Sequence, residues 1–133
     1  MNLKKLFLNY CKTKGLEIND NQITTIETIN KFYQNNFNFG FFANLFKKKE
    51  KLTGFYLQGD VGVGKTMILN FFYENFNQTK HRLHFNEFMI NFHDFIFQNK
   101  NNEKGTTIDK FVTKLKRKYK LIYLDEFQVT NIV

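Results

Sequence analysis

Two short runs in this chain combine residue types that can handle phosphate. The first is Gly59-Asp60-Val61-Gly62-Val63-Gly64-Lys65-Thr66, which reads G-x-x-x-x-G-K-T. Glycines at 59, 62 and 64 allow the backbone to curl through positive φ, so that several N–H groups can point at one anion. A helix start directly after such a loop adds unpartnered N–H groups and a partial positive charge. Lys65 supplies a mobile charge for β- and γ-phosphates, and the Thr66 hydroxyl is placed to ligate Mg²⁺. Asp60 is an unusual residue so near phosphate, and its side chain is expected to point away. A dinucleotide-binding fingerprint is excluded, because Met67 stands where its third glycine would be.

The second run is Lys120-Leu121-Ile122-Tyr123-Leu124-Asp125-Glu126, an apolar stretch ending in two carboxylates. Many plain strand ends look like this, but downstream of a phosphate loop it is the Walker B arrangement. Asp125 is expected to hold Mg²⁺ through its water shell. Glu126 is expected to orient and deprotonate the water that attacks a γ-phosphate. A water-activating carboxylate at that place favours hydrolysis over transfer to a small acceptor.

These residues need a scaffold of strands and helices. Gly54 to Gln58 predicts a buried strand entering the loop, and Met67 to Tyr73 predicts the inner side of the helix leaving it. Residues 1–19 predict a short helix and a loop around Gly15. Asp20 is the expected N-cap of an amphipathic helix carrying Ile23, Ile26, Ile29, Phe32 and Tyr33. Phe37 to Phe46 is rich in Phe and Asn, and Lys47-Lys48-Lys49-Glu50-Lys51 predicts a solvated loop. After a polar break at 77–80, His81 to Phe85 predicts a strand. Asn86 to Gln98 then predicts a helix with Phe88, Met89, Phe92, Phe95 and Ile96 inward. Asn99 to Gly105 predicts a loop, and Ile108, Phe111, Val112 and Leu115 predict a further helix with its lysines outward. Such alternation argues for an α/β fold with a parallel sheet and helical crossovers.

At 133 residues the chain is one domain at most. It has 18 Phe and no Trp or Pro, a bias that AT-rich codons explain simply. The formal net charge of +8 is discounted as a nucleic-acid signal for the same reason. The lone Cys11 cannot form an internal disulfide. The apolar start is too short and too soon interrupted for a signal peptide, and no segment approaches a membrane span. A cytoplasmic protein is expected. His81, His84 and His93 fit no common zinc spacing and no cysteine joins them, so no metal centre is expected there.

The chain resembles the ZapE family of AAA+ ATPases, a bacterial cell-division group with mitochondrial relatives. The likeness is carried by Gly54-Phe55-Tyr56-Leu57 leading into Lys65-Thr66-Met67. It continues through His84-Phe85-Asn86-Glu87-Phe88-Met89 with His93, and through Leu124-Asp125-Glu126-Phe127-Gln128-Val129-Thr130-Asn131-Ile132. The family usually has His at the place of Asn86 and Asp at the place of Asn131. The resemblance implies a P-loop NTPase sheet of the AAA+ (ASCE) type with flanking helices, truncated here after the Walker B strand. Residues 1–53 would form an N-terminal helical arm and basic loop, and 54–133 the N-terminal part of the ATPase domain. It implies ATP and Mg²⁺ as cofactors, with ATP contacted by residues 59–66 (Gly59, Asp60, Val61, Gly62, Val63, Gly64, Lys65 and Thr66). Thr66 and Asp125 would be the metal residues, and Lys65 and Glu126 the catalytic ones. It further implies protein partners in division or quality control and a homo-oligomeric ring, with nucleic acid not a partner. Family members continue into a sensor strand and an arginine finger, so the chain alone is expected to be poorly stable and to turn over ATP negligibly.

Two other functions share parts of the pattern. An ATP-dependent loader of DNA-replication machinery has both phosphate motifs and would bind DNA in a salt-sensitive way. The His-Phe-x-x-Phe-Met stretch argues against it. A non-functional remnant would keep the motifs without a stable fold.

Overall fold

A computed structural model of the chain describes residues 2–37, 53–58, 64–99 and 104–127, with backbone alone at 104–106. In chain order the described elements are α1 (Leu3–Lys14), α2 (Asp20–Phe37), α3 (Lys65–Asn75), β1 (Lys80–His84), α4 (Phe85–Gln98), α5 (Lys104–Lys118) and β2 (Leu121–Asp125). They fall into two compact units, Met1–Asn75 and Phe76–Val133.

The first unit is helical. Asn2 caps α1 by accepting from the Lys5 N–H, and Gly15 ends it at φ 64, its N–H donating to the Cys11 and Lys12 carbonyls. That left-handed C-cap is the stop expected at Gly15. Helix α2 starts one residue earlier than the Asp20 cap predicts. Asn19 is the cap: its side-chain oxygen accepts from Gln22 N–H at 2.9 Å, while Gln22 Oε1 accepts from Asn19 N–H at 3.0 Å. This reciprocal pair is a capping box, in which Asp20 is merely the first helical residue. The α1 start is tied to α2 by Leu3 N–H donating to Asn30 Oδ1 and by a Lys4–Glu27 ion pair.

The core of this unit joins Leu3, Phe7 and Cys11 of α1, Ile26, Ile29 and Phe32 of α2, and Ile68, Phe71 and Phe72 of α3, all buried. Phe7 meets Phe71 edge-on at 5.2 Å and Phe32 meets Phe55 at 5.1 Å, the geometry that aromatic quadrupoles favour. The helical spacing of the isoleucines thus predicts the buried face correctly, with Ile23 and Tyr33 half-buried at its margin. Residues 53–58 depart from expectation. They keep a strand-like alternation of exposed and half-buried positions but form no strand. A strand exists only through a ladder, and the described residues of this unit include no other strand to pair with.

The second unit is α/β. β1 and β2 pair in parallel, with Lys80 opposite Leu121 and His84 opposite Asp125. At the entry to the sheet the Lys120 and Leu121 N–H groups both donate to the Thr79 carbonyl, at 2.8 and 3.2 Å. Parallel strands require a crossover, and α4 and α5 supply it. α4 follows β1 without a loop, starting at Phe85 rather than Asn86. Its Phe88, Phe92 and Phe95 converge on the buried Phe111 of α5. The five inward residues expected on α4 are half-buried, and Ile90 and Phe97 are exposed. α5 begins at Lys104, so the predicted loop is shorter than 99–105. On it Phe111 is buried and Leu115 half-buried, whereas Ile108 and Val112 are exposed. No described helix is long and apolar enough to cross a membrane.

Candidate functional site

Of the phosphate loop, Gly64, Lys65 and Thr66 are described, whereas Gly59, Asp60, Val61, Gly62 and Val63 lie outside the described residues. So do the lysine run at 47–51 and residues 128–133. Gly64 has φ +73, a conformation that side chains rarely adopt. Lys65 is the first residue of α3 and Thr66 the second. The Gly64 carbonyl accepts from Ile68 N–H at 3.1 Å, making Gly64 the cap position of the helix. The two side chains therefore sit in the first turn, beside N–H groups that have no partner within the helix. Ile68, Phe71 and Phe72 anchor this helix start by burying its inner face.

The acidic end of β2 lies in the second unit. Asp125 closes the strand, and Glu126 follows it at φ 50, the one non-glycine residue with positive φ among the described residues. A left-handed conformation at such a residue is uncommon and costs energy. It turns the chain sharply, and the Glu126 side chain is 76% exposed. Glu126 N–H donates to Asp125 Oδ1 at 3.2 Å.

The parallel register brings two residues of β1 to this end. Arg82 donates to Asp125 Oδ2 at 2.5 Å and lays its guanidinium over the Tyr123 ring, 4.7 Å from the centroid. The hydrogen bond from Arg82, opposed by some burial and aided by the guanidinium charge, holds the Asp125 carboxyl below its usual range. Burial, together with the Asp125 charge, pushes the Tyr123 phenol up. His84 Nδ1 stands 3.8 Å from Glu126 Oε2, and Phe85 packs on Phe127 with centroids 4.3 Å apart. His81 stacks on Tyr119 at 4.6 Å, and His93 lies against Phe92.

Sequence reasoning misses Arg82 as the partner of Asp125, although the signal exists. Two strands of five residues in parallel, both ending at the expected ligand edge, put a residue two before the end of one within reach of the end of the other. It also misses Gln22, whose N-x-x-Q spacing after Asn19 is a capping signature.

An α/β chain with a small parallel sheet, a strand ending in an acidic pair and a Gly-Lys-Thr helix start is compatible with the phosphate-loop ATPases. More particularly, the chain belongs to the AFG1-like ATPase family, whose model matches residues 3–133. It is 36% identical over 89 residues to lactation elevated protein 1 homolog B of Danio rerio, covering 59% of this chain and 18% of that protein. It is 34% identical over 84 residues to an uncharacterized protein of Schizosaccharomyces pombe, covering 59% and 18%. To cell division protein ZapE of Escherichia coli K12 it is 32% identical over 88 residues, covering 64% and 22%. The chain thus spans about a fifth of the length of these relatives. No solved structure matches it.

Proposed function

We propose that this chain is the nucleotide-binding part of an ATP-hydrolysing AAA+ protein. Residues 1–53 would be its N-terminal arm, and 54–133 the N-terminal part of its ATPase domain. Residues 59–66 would bind ATP, Lys65 would meet the β- and γ-phosphates, and Thr66 and Asp125 would be the residues that hold Mg²⁺. An ion held there would supply positive charge to offset the charge that develops on the transferred phosphate. The residues present suit that role. Thr66 carries a hydroxyl in the first turn of α3, and the hydrogen bond from Arg82 holds the Asp125 carboxyl below its usual range. Glu126, exposed at the strand end, accepts the proton of the attacking water. The whole protein would act on protein partners in cell division or quality control, as a ring in the cytoplasm.

The observation that carries this reading is the positive-φ Gly64 set directly before Lys65 and Thr66 at the start of α3. Its test is the melting transition of the chain with and without Mg-ATP. Nucleotide at about a hundred times its Kd adds about 2.7 kcal/mol to a binding-competent fold, and Lys65→Ala should abolish that gain. An equal melt with and without nucleotide would refute the reading.

A further inference from the structure

Gln22 is the one buried side chain with polar groups in α2, 8% exposed, on a helix whose other buried residues are Ile26, Ile29 and Phe32. Half of its amide is accounted for, since Oε1 accepts from Asn19 N–H in the capping box. A glutamate would fill that acceptor role equally, so the box alone does not call for an amide. The donor half faces elsewhere. A Cβ placed on Gly64 would fall inside 3.0 Å of Gln22 Nε2, nearer than real Cβ atoms come, and in ordinary contact 3.5 Å from its Cδ. The Gln22 amide end thus lies directly against Gly64, which has φ +73, a conformation that glycine adopts without steric cost. Gly64 is therefore fixed as glycine by its backbone, with the Gln22 amide packed against it.

Three features meet at this point: the N-terminus of α2, the glycine before Lys65 and the N-terminus of α3. The Gln22 amide stands beside the backbone that must present its N–H groups to an anion. A carboxylate in its place would set a negative charge beside that backbone, opposing phosphate. A neutral group with an N–H₂ does the reverse.

We propose that Gln22 is a positioning residue of the nucleotide site. Its amide holds Gly64, and with it the start of α3, in the conformation that receives phosphate, and its carbonyl oxygen fastens the same side chain to the α2 cap. Nucleotide binding and the α2 N-terminus are thereby coupled. The inference rests on the ATP-binding reading above and names a further residue of that site.

Two variants separate this role from plain helix capping. Gln22→Glu keeps the side-chain length and the acceptor for Asn19 N–H, so the cap survives, but it replaces the donor amide with charge. Gln22→Met loses both. In the full chain, binding of a fluorescent ATP analogue with Mg²⁺ is measured alongside thermal unfolding without nucleotide. Gln22→Glu should melt like the wild type yet bind the analogue at least about tenfold more weakly, a loss of about 1.4 kcal/mol. Gln22→Met should lose both stability and binding. Amide exchange on the wild type supplies the second readout: nucleotide should slow exchange at Asn19 and Gln22, and Gln22→Glu should remove that slowing. Wild-type binding with undiminished affinity in Gln22→Glu would overturn the role of Gln22 while leaving the nucleotide site standing. Failure of the wild type itself to bind would overturn both.

Discussion

Replacing Arg82 by alanine tests how the end of the parallel sheet is held. Two interactions are lost. The ion pair to Asp125 is partly open to water, with side chains 36% and 25% exposed, and such pairs contribute about 0.2–1 kcal/mol. The guanidinium over Tyr123 contributes about 0.5–1 kcal/mol at a site of this kind. The expected loss is about 1–2 kcal/mol at pH 7. With a urea m value of about 1–3 kcal/mol/M this moves the unfolding midpoint down by roughly 0.3–2 M. The two contributions respond differently to pH. The folded Asp125 carboxyl is held below its ordinary value chiefly by Arg82. Its stabilisation is therefore fully present above the unfolded value of about 3.9 and is lost as the pH falls through the lower folded value. The cost of Arg82→Ala should shrink toward the cation–π part as the pH approaches 3. Urea unfolding followed by circular dichroism at pH 7 and near pH 3, with Asp125→Asn completing a double-mutant cycle, measures both. A cost independent of pH, or strictly additive single substitutions at pH 7, would refute the assignment of an ion pair.

Phe7, fully buried and edge-on to Phe71, should cost about 3–5 kcal/mol when cut to alanine, read as a lowered unfolding midpoint; a change under about 1 kcal/mol would contradict the α1 packing. Gly15→Ala should cost about 1–2 kcal/mol, because Gly15 sits at φ 64 with open space around it, so the loss comes from backbone conformation alone; Gly15→Asn should recover part of it. Cys11 is buried and its thiol is pushed up by that burial, so a thiol reagent at pH 8 should label it only as fast as the first unit opens, and denaturant should bring the rate to that of a free thiol.

The residues themselves determined much of this protein. Helices declare themselves through apolar spacing, a property of neighbours three and four apart, and the isoleucines of α2 and the phenylalanines of α4 show it plainly. The Gly15 stop and the phosphate and acidic motifs are equally local. What lies between elements was decided by the tertiary structure. Asp125 reaches an arginine 43 residues away because the parallel register aligns the ends of β1 and β2, and no periodicity encodes that register. Gln22 lies against Gly64 because α2 and α3 share one core, although each residue reads on its own as an ordinary helix-start signal. Residues 53–58 carry a strand's alternation without becoming a strand, since a ladder needs a second chain segment at hydrogen-bonding distance. Local propensity sets what a segment can be; contacts far apart in the chain select which of those possibilities is kept, and which side chains then meet.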